Sequence, residues 1–280
     1  MATRPKQPTD SKLIDFDRYP FADLDSAKGQ AFVKQCRGEL AETNVCVLPG
    51  FVHAEALAEM AAEADAMVQR HGYYRVHDWN CYISRDIDPS LPIDHPRRRF
   101  FDDRSKIISF DLFGEDSSLR RLYFSNYISP GFAAILGYEK LYPSDCPFQA
   151  LTILGFDEGD SSCWHFDTEN EFTVTLQLQT PEAGGLFEIV PNIRSRDDEN
   201  YTGVQSVLDG DQERVRSYPP EAGTLTIFRG RDSLHRVTKV RGKLRRLVGV
   251  MCFEEHRGVT TSDEMNATIY GPRVATLLGQ

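Results

Sequence analysis

From Gln149 to Glu254 the chain is a succession of short runs rich in β-branched and aromatic residues, and this pattern limits its fold more than any other feature. The runs are Gln149 to Phe156, Phe172 to Gln179, Leu186 to Val190, Gly223 to Phe228, His235 to Val240 and Arg246 to Glu254. Such side chains fit a pleated, half-buried surface. Between them lie turn-forming segments, Asp157-Glu158-Gly159-Asp160 and Pro181-Glu182-Ala183-Gly184-Gly185, where Asp and Gly supply the local hydrogen bonds and positive φ that turns need. Many short strands with turns between them predict a barrel or a double-sheet jelly roll. Asp197 to Glu213 is polar and without period, and is expected to be an irregular insertion between strands.

The first half of the chain has a different character. Residues 1–25 lack periodicity and predict an extended arm, ordered where Phe16, Tyr19 and Phe21 can dock. Ser26 is a good N-cap for a helix to about Thr43, with Phe32, Val33, Cys36 and Leu40 on one stripe. Val45 to Leu48 reads as a short buried strand closed by Pro49-Gly50. His53 to Arg70 is a second helix, in which Leu57, Met60, Ala61, Ala64 and Met67 recur at helical spacing before Gly72. That apolar stripe is core. Tyr73 to Ser109, rich in Arg, Asp, Pro and aromatic residues, predicts a long loop of the kind that forms lids. His77 and His95 lie there, each a lone histidine among polar neighbours, and neither is expected to bind a metal. Leu119 to Tyr142 predicts two short helices broken at Ser129-Pro130-Gly131. The expected class is therefore α+β with a mainly β core. One domain spans 26–280: residues 26–145 as helical scaffold and lid, 146–255 as β core, and 256–280 as a C-terminal extension.

Bulk properties narrow the function. A chain of 280 residues can bury a sizeable core. Its formal net charge of −10 opposes a phosphate backbone, and the one basic run, Arg97-Arg98-Arg99, is followed by Asp102-Asp103. A nucleic-acid partner is not expected. No apolar run approaches the length of a membrane span, and the first twenty residues are polar with prolines at 5, 8 and 20. The six cysteines are scattered with no C-x-x-C pair. Reduced, buried thiols in a cytoplasmic protein are expected.

The chemistry centres on Cys163-Trp164-His165-Phe166-Asp167-Thr168. Residues two apart on a strand share a face, so His165 and Asp167 project together, and Cys163 joins them. An imidazole and a carboxylate on one face are two of the three ligands of a 2-His-1-carboxylate triad, which leaves Fe(II) positions open. The best third ligand is His235, in Leu234-His235-Arg236-Val237. Arg246, on an otherwise apolar strand, is costly to bury unless paired. A dicarboxylate could pair with it bidentately; an acidic neighbour or water at a strand end is the plainer explanation. Its neighbour Arg245 faces the other way. Trp164 and Asn192 are expected to serve packing and turn structure, and His256 to lie on the surface.

His165-Phe-Asp167, Gly223-Thr-Leu-Thr-Ile-Phe228, Leu234-His235-Arg-Val237 and Arg246 together resemble the Fe(II)- and 2-oxoglutarate-dependent dioxygenases. The resemblance covers about residues 147–255 and implies a double-stranded β-helix, a jelly-roll variant. Glu182-Ala-Gly-Gly-Leu-Phe-Glu-Ile-Val-Pro-Asn-Ile-Arg194 and His235-Arg-Val-Thr238 are similar to the branch of radical halogenases and hydroxylases of free amino acids. By resemblance, His165, Asp167 and His235 bind Fe(II), Arg246 holds the distal carboxylate of 2-oxoglutarate, and O2 is consumed with release of CO2 and succinate. Halogenases of that branch have a small residue in place of the carboxylate, so Asp167 implies hydroxylation of a small molecule. Two alternatives stay open: the same cofactors acting on a protein side chain, and a metal-binding cupin without redox chemistry. An amino-acid substrate needs an arginine for its carboxylate and an acid for its amine. The segment from Tyr73 to Asp103 has several of each, and nothing in the sequence singles one out.

Overall fold

The computed structural model describes residues 12–167 and 172–280. The first eleven residues of the expected arm, and Thr168 of the central hexapeptide, lie outside the described residues. The N-terminal part runs α1 (Ala27–Thr43), β1 (Val45–Leu48), α2 (Ala54–His71), β2 (Tyr73–Trp79), β3 (Phe101–Ile108), α3 (Ser118–Tyr123), α4 (Ile128–Leu136) and β4 (Tyr142–Pro143). Then come β5 (Leu151–Phe156), β6 (Ser162–His165), β7 (Thr173–Gln179), β8 (Ala183–Gly184), β9 (Phe187–Val190), α5 (Tyr201–Leu208) and β10 (Arg216–Tyr218). After these follow β11 (Leu225–Phe228), β12 (Leu234–Val237), β13 (Val240–Arg241), β14 (Arg246–Met251), β15 (Phe253–Glu254), α6 (Asp263–Tyr270) and α7 (Pro272–Leu277).

Strand alternation decides the layers. The major sheet has seven strands in the order β1-β11-β7-β14-β5-β3-β2, and the minor sheet four in the order β10-β9-β12-β6. Every pairing in them is antiparallel. Val174, Leu176 and Leu178 of β7, Leu225 and Ile227 of β11, and Leu151 and Ile153 of β5 belong to one buried cluster with residues of α1 to α4. The intervening residues Thr173, Thr175, Gln177, Thr226, Thr152 and Leu154 instead line a cavity. One face of the major sheet is thus the helix-covered core, and the other, with the minor sheet, encloses the cavity. This is the double-stranded β-helix expected.

The helices are held as their sequences dictate. Ser26 caps α1 by accepting from Gly29 N, and Met60, Ala64 and Val68 of α2 are buried at helical spacing. Burying a side chain the size of Met60 contributes roughly 2 kcal/mol. The sheet meets the helices closely at Gly155 and Gly249. A Cβ there would stand 3.0 Å from Val68 and 3.2 Å from Leu119 respectively. Leu13, Ile14, Tyr19 and Phe21 are buried and Phe16 packs against the same core.

Four expectations need correction. Tyr73 to Ser109 is not a loop throughout: β2 and β3 pair along their length, and only residues 80–100 between them are irregular apart from a 3-10 turn at Pro96–Arg98. Charged and polar side chains on the buried face hid the alternation. The break near residue 130 falls instead at Phe124 to Tyr127, because Pro130 sits in the first turn of α4, where its missing N–H has no helical acceptor to lose. The insertion after Asp197 contains α5, capped by Asn200, with Val204 and Val207 buried. Finally, β6 ends at His165, so Asp167 stands beyond the strand.

Candidate active site

His165 and His235 are directly opposed on the antiparallel neighbours β6 and β12. Cross-strand partners hold their Cβ atoms about 5 Å apart, and the two ring centroids are 4.2 Å apart. Each Nδ1 lies beside a carbonyl, His165 at 2.8 Å from Cys163 O and His235 at 3.0 Å from Ser233 O. A carbonyl can only accept, so Nδ1 carries the proton and Nε2 presents its lone pair. Asp167 reaches the same point from the turn after β6. Its N–H donates to Gly230 O at 3.1 Å, and Thr173 Oγ1 donates to Oδ2 at 2.6 Å. That leaves Oδ1 facing His235 Nε2 at 3.5 Å. The potential ligand atoms of the three residues lie within 4.8 Å of one another.

The electrostatics suit a cation. Burial opposes ionisation of Asp167, but His235, His165 and the Thr173 hydroxyl outweigh it and hold the carboxyl down at about 2. Burial, reinforced by His235, lowers His165 to about 4. At neutral pH the cluster therefore offers the neutral imidazole of His165 and the carboxylate of Asp167, in the protonation states that metal binding requires. Among the described residues no other group of His, Cys, Asp and Glu has this geometry. His77 accepts from Arg85 through Nδ1, and His95 caps the 3-10 turn. Neither approaches the cluster.

Arg246 lines the same cavity, only 6% exposed, with Nε buried and without a partner. Burial lowers its guanidinium to about 10, and no acidic partner is found among the described residues. Thr224 Oγ1, also on the cavity wall, is buried and unpartnered as well. An unpaired buried guanidinium with an orphaned hydroxyl is an unfilled demand for an anion. The adjacent Arg245 faces away, to Asp65 at 3.3 Å and Asp157 at 2.9 Å. The donor set and this anion cradle would fit a first-row transition metal together with a dicarboxylate.

The cavity is about 410 Å3, a size for a small molecule. Its wall includes residues that the sequence did not reveal. Arg75 of β2 and Asp103 of β3 face inward, paired at 3.2 Å. Ile83 lines the wall at φ 54°, a strained value for a β-branched residue. Met265, Ile269 and Tyr270 of α6 complete it, so the segment expected as an extension forms part of the pocket. Cys163 Sγ lies 3.9 Å from Asp103 Oδ2, and burial and that carboxylate push the thiol up, away from nucleophilic use. Trp164 is buried beneath Arg236, Asn192 holds a positive-φ turn and bonds Asn44, and His256 is exposed. All six cysteines are buried and none is in a disulfide.

Fold and site together define a double-stranded β-helix protein with a 2-His-1-carboxylate arrangement in its cavity. The family described as HalD, Halogenase D, matches residues 28–270, and the chain belongs to it. Solved structures share the fold. An oxidoreductase of the 2OG-Fe(II) oxygenase family from Burkholderia pseudomallei is 18% identical, with TM-score 0.51, over 81% of this chain and 92% of that one. The non-heme alpha ketoglutarate dependent epimerase SnoN from nogalamycin biosynthesis is 16% identical, with TM-score 0.53, over 80% and 83%. AviO1 from Streptomyces viridochromogenes is 15% identical, with TM-score 0.52, over 78% and 92%. No curated protein sequence matches the chain. Among the described residues no helix is long and apolar enough to cross a membrane.

Proposed function

We propose that the protein is an Fe(II)- and 2-oxoglutarate-dependent hydroxylase of a small molecule, a free amino acid or close derivative. Its cofactors are Fe(II), 2-oxoglutarate and O2. The observation that carries this reading is the carboxylate of Asp167, held with two histidines in one cavity with the unpaired Arg246. His165 and His235 supply Nε2 and Asp167 supplies Oδ1 to the metal, and Arg246 takes the distal carboxylate of 2-oxoglutarate. The bound metal and co-substrate supply an oxidant able to cleave an unactivated C–H bond, with release of CO2 and succinate. The chain binds and orients around it, and the apolar cavity walls exclude water. The family is named for halogenation, but Asp167 fills the place a chloride ion would need beside the metal. Hydroxylation is the outcome that side chain favours.

The test is anaerobic reconstitution with Fe(II), followed by oxygen-dependent succinate release across a panel of free amino acids, with products read by mass. Stimulation by one member with gain of one oxygen is expected. An iron-loaded, folded protein that releases no succinate favours a non-redox cupin instead. Arg246→Ala is expected to abolish 2-oxoglutarate turnover while iron still binds, since only the co-substrate loses its charged partner. Asp167→Gly is expected to lose hydroxylation, and full retention would remove Asp167 from the ligand set.

A further inference from the structure

The charges lining the cavity include one cation that neither the metal nor the co-substrate uses. Arg75 lies on the inner face of β2, between the aromatic rings of Tyr73 and Trp79 along the strand, with its guanidinium 5.9 Å from the Trp79 ring. Its side chain is 12% exposed. Both contacts it makes come from Nη2, to Asp103 Oδ1 and to Ser105 Oγ, each at 3.2 Å. Nε is buried with no partner. Asp103 is itself fixed by Ser162, which donates to Oδ2 at 2.7 Å. One residue along the same face, His77 is neutral at pH 7, lowered to about 4 by burial and by Arg75 and Arg85. Arg85 donates to its Nδ1 at 2.9 Å, so Nε2 carries the hydrogen, and that donor too is buried without a partner. An orphaned guanidinium donor at the cavity wall makes this an open anion site rather than a closed ion pair. A structural pair would have spent the guanidinium fork on its carboxylate.

We infer that Arg75 is the anchor for the substrate's own carboxylate, with Asp103 and Ser105 as the groups that hold its guanidinium in place. This rests on the hydroxylase reading and deepens it. Ser162, which fixes Asp103, is three residues from His165 on β6, on the order of 10 Å along a strand. The ligand therefore spans the cavity with its carboxylate at β2–β3 and its reacting carbon, several bonds away, at the cluster of His165, Asp167 and His235. A free amino acid with an extended side chain has that form, and an ester or amide of it lacks the anion.

The experiment measures binding, not turnover. The full chain, loaded with Co(II) and N-oxalylglycine as an inert stand-in for 2-oxoglutarate, is titrated calorimetrically with free amino acids and with their carboxamides. At least one acid is expected to bind, its carboxamide about 30-fold more weakly, a loss in the range for a hydrogen bond to a charged group. Arg75→Gln is expected to bind the acid about 30-fold more weakly and to bind acid and amide alike. Arg75→Lys is expected to recover part of the preference. Circular dichroism checks that each variant is folded; if Arg75→Gln does not fold, the wild-type ratio of acid to amide still decides. Equal binding of acid and amide by the wild type overturns the anchor, as does undiminished acid binding by Arg75→Gln or a wild type that binds no acid at all. Failure to release succinate would sink the hydroxylase and leave this ratio standing, so the two failures are distinguishable.

Discussion

The position of one oxygen atom depends on a residue with no side chain. A Cβ built on Gly230 would stand 1.9 Å from Asp167 Oδ2 and 3.0 Å from His235 Cε1. Gly230 has no positive φ, so alanine suits its backbone and acts by volume alone. Gly230→Ala is expected to push the Asp167 carboxylate off the cluster and weaken Co(II) affinity more than tenfold, read by titration of the ligand-field absorbance; unchanged affinity would separate Gly230 from the site. Thr173 acts on the same carboxylate through a hydrogen bond of 2.6 Å. Neither residue was legible in the sequence, because a turn glycine and a strand threonine are ordinary in a β protein. His165, His235 and Arg246 were legible as candidates because their residue types are rare on apolar strands, and Asp167 by its spacing of two from His165.

At the scale of elements, the segment between β2 and β3 carries an instructive anchor. Asn80 is 1% exposed. Its Oδ1 accepts from Tyr82 N at 2.9 Å and Ser84 N at 3.3 Å, and its Nδ2 donates to Arg97 O at 2.8 Å. The turn it holds presents Cys81 O to Phe166 N at 2.9 Å, between two of the site residues. Asn80→Ala leaves these backbone groups unmatched and is expected to cost about 2 kcal/mol. It should lower the urea midpoint and speed hydrogen exchange at Phe166; an unaltered rate at Phe166 would uncouple the turn from the site. The pairing of β2 with β3 escaped the sequence for a related reason. Arg75, His77, Asp103 and Ser105 all lie on the inner face, so that face reads as hydrophilic as the outer one, and period-2 alternation disappears.

At the scale of the whole molecule, the cavity is a store of unmet demands: the carboxylate among two imidazoles, Nε of Arg246, Oγ1 of Thr224. A ligand that meets them binds the folded chain alone and stabilises it by mass action. Saturation with Co(II) and N-oxalylglycine at a hundredfold their dissociation constants is expected to raise the melting temperature by about 5–10 °C. Chelation should reverse the gain, and an unmoved transition would show that the demands are met within the chain. The sequence by itself determined β1 and most strands after residue 149, since β-branched runs and turn residues act locally. It determined the first two helices with Ser26 as cap, and the residue types able to hold a metal. Only the tertiary structure decided that His165 and His235 oppose each other across β6 and β12, that Gly230 makes room for Asp167, and that Arg75 and α6 join the pocket. Those outcomes depend on register and on distant strands meeting in space, and no local pattern encodes a contact between residues so far apart in the chain.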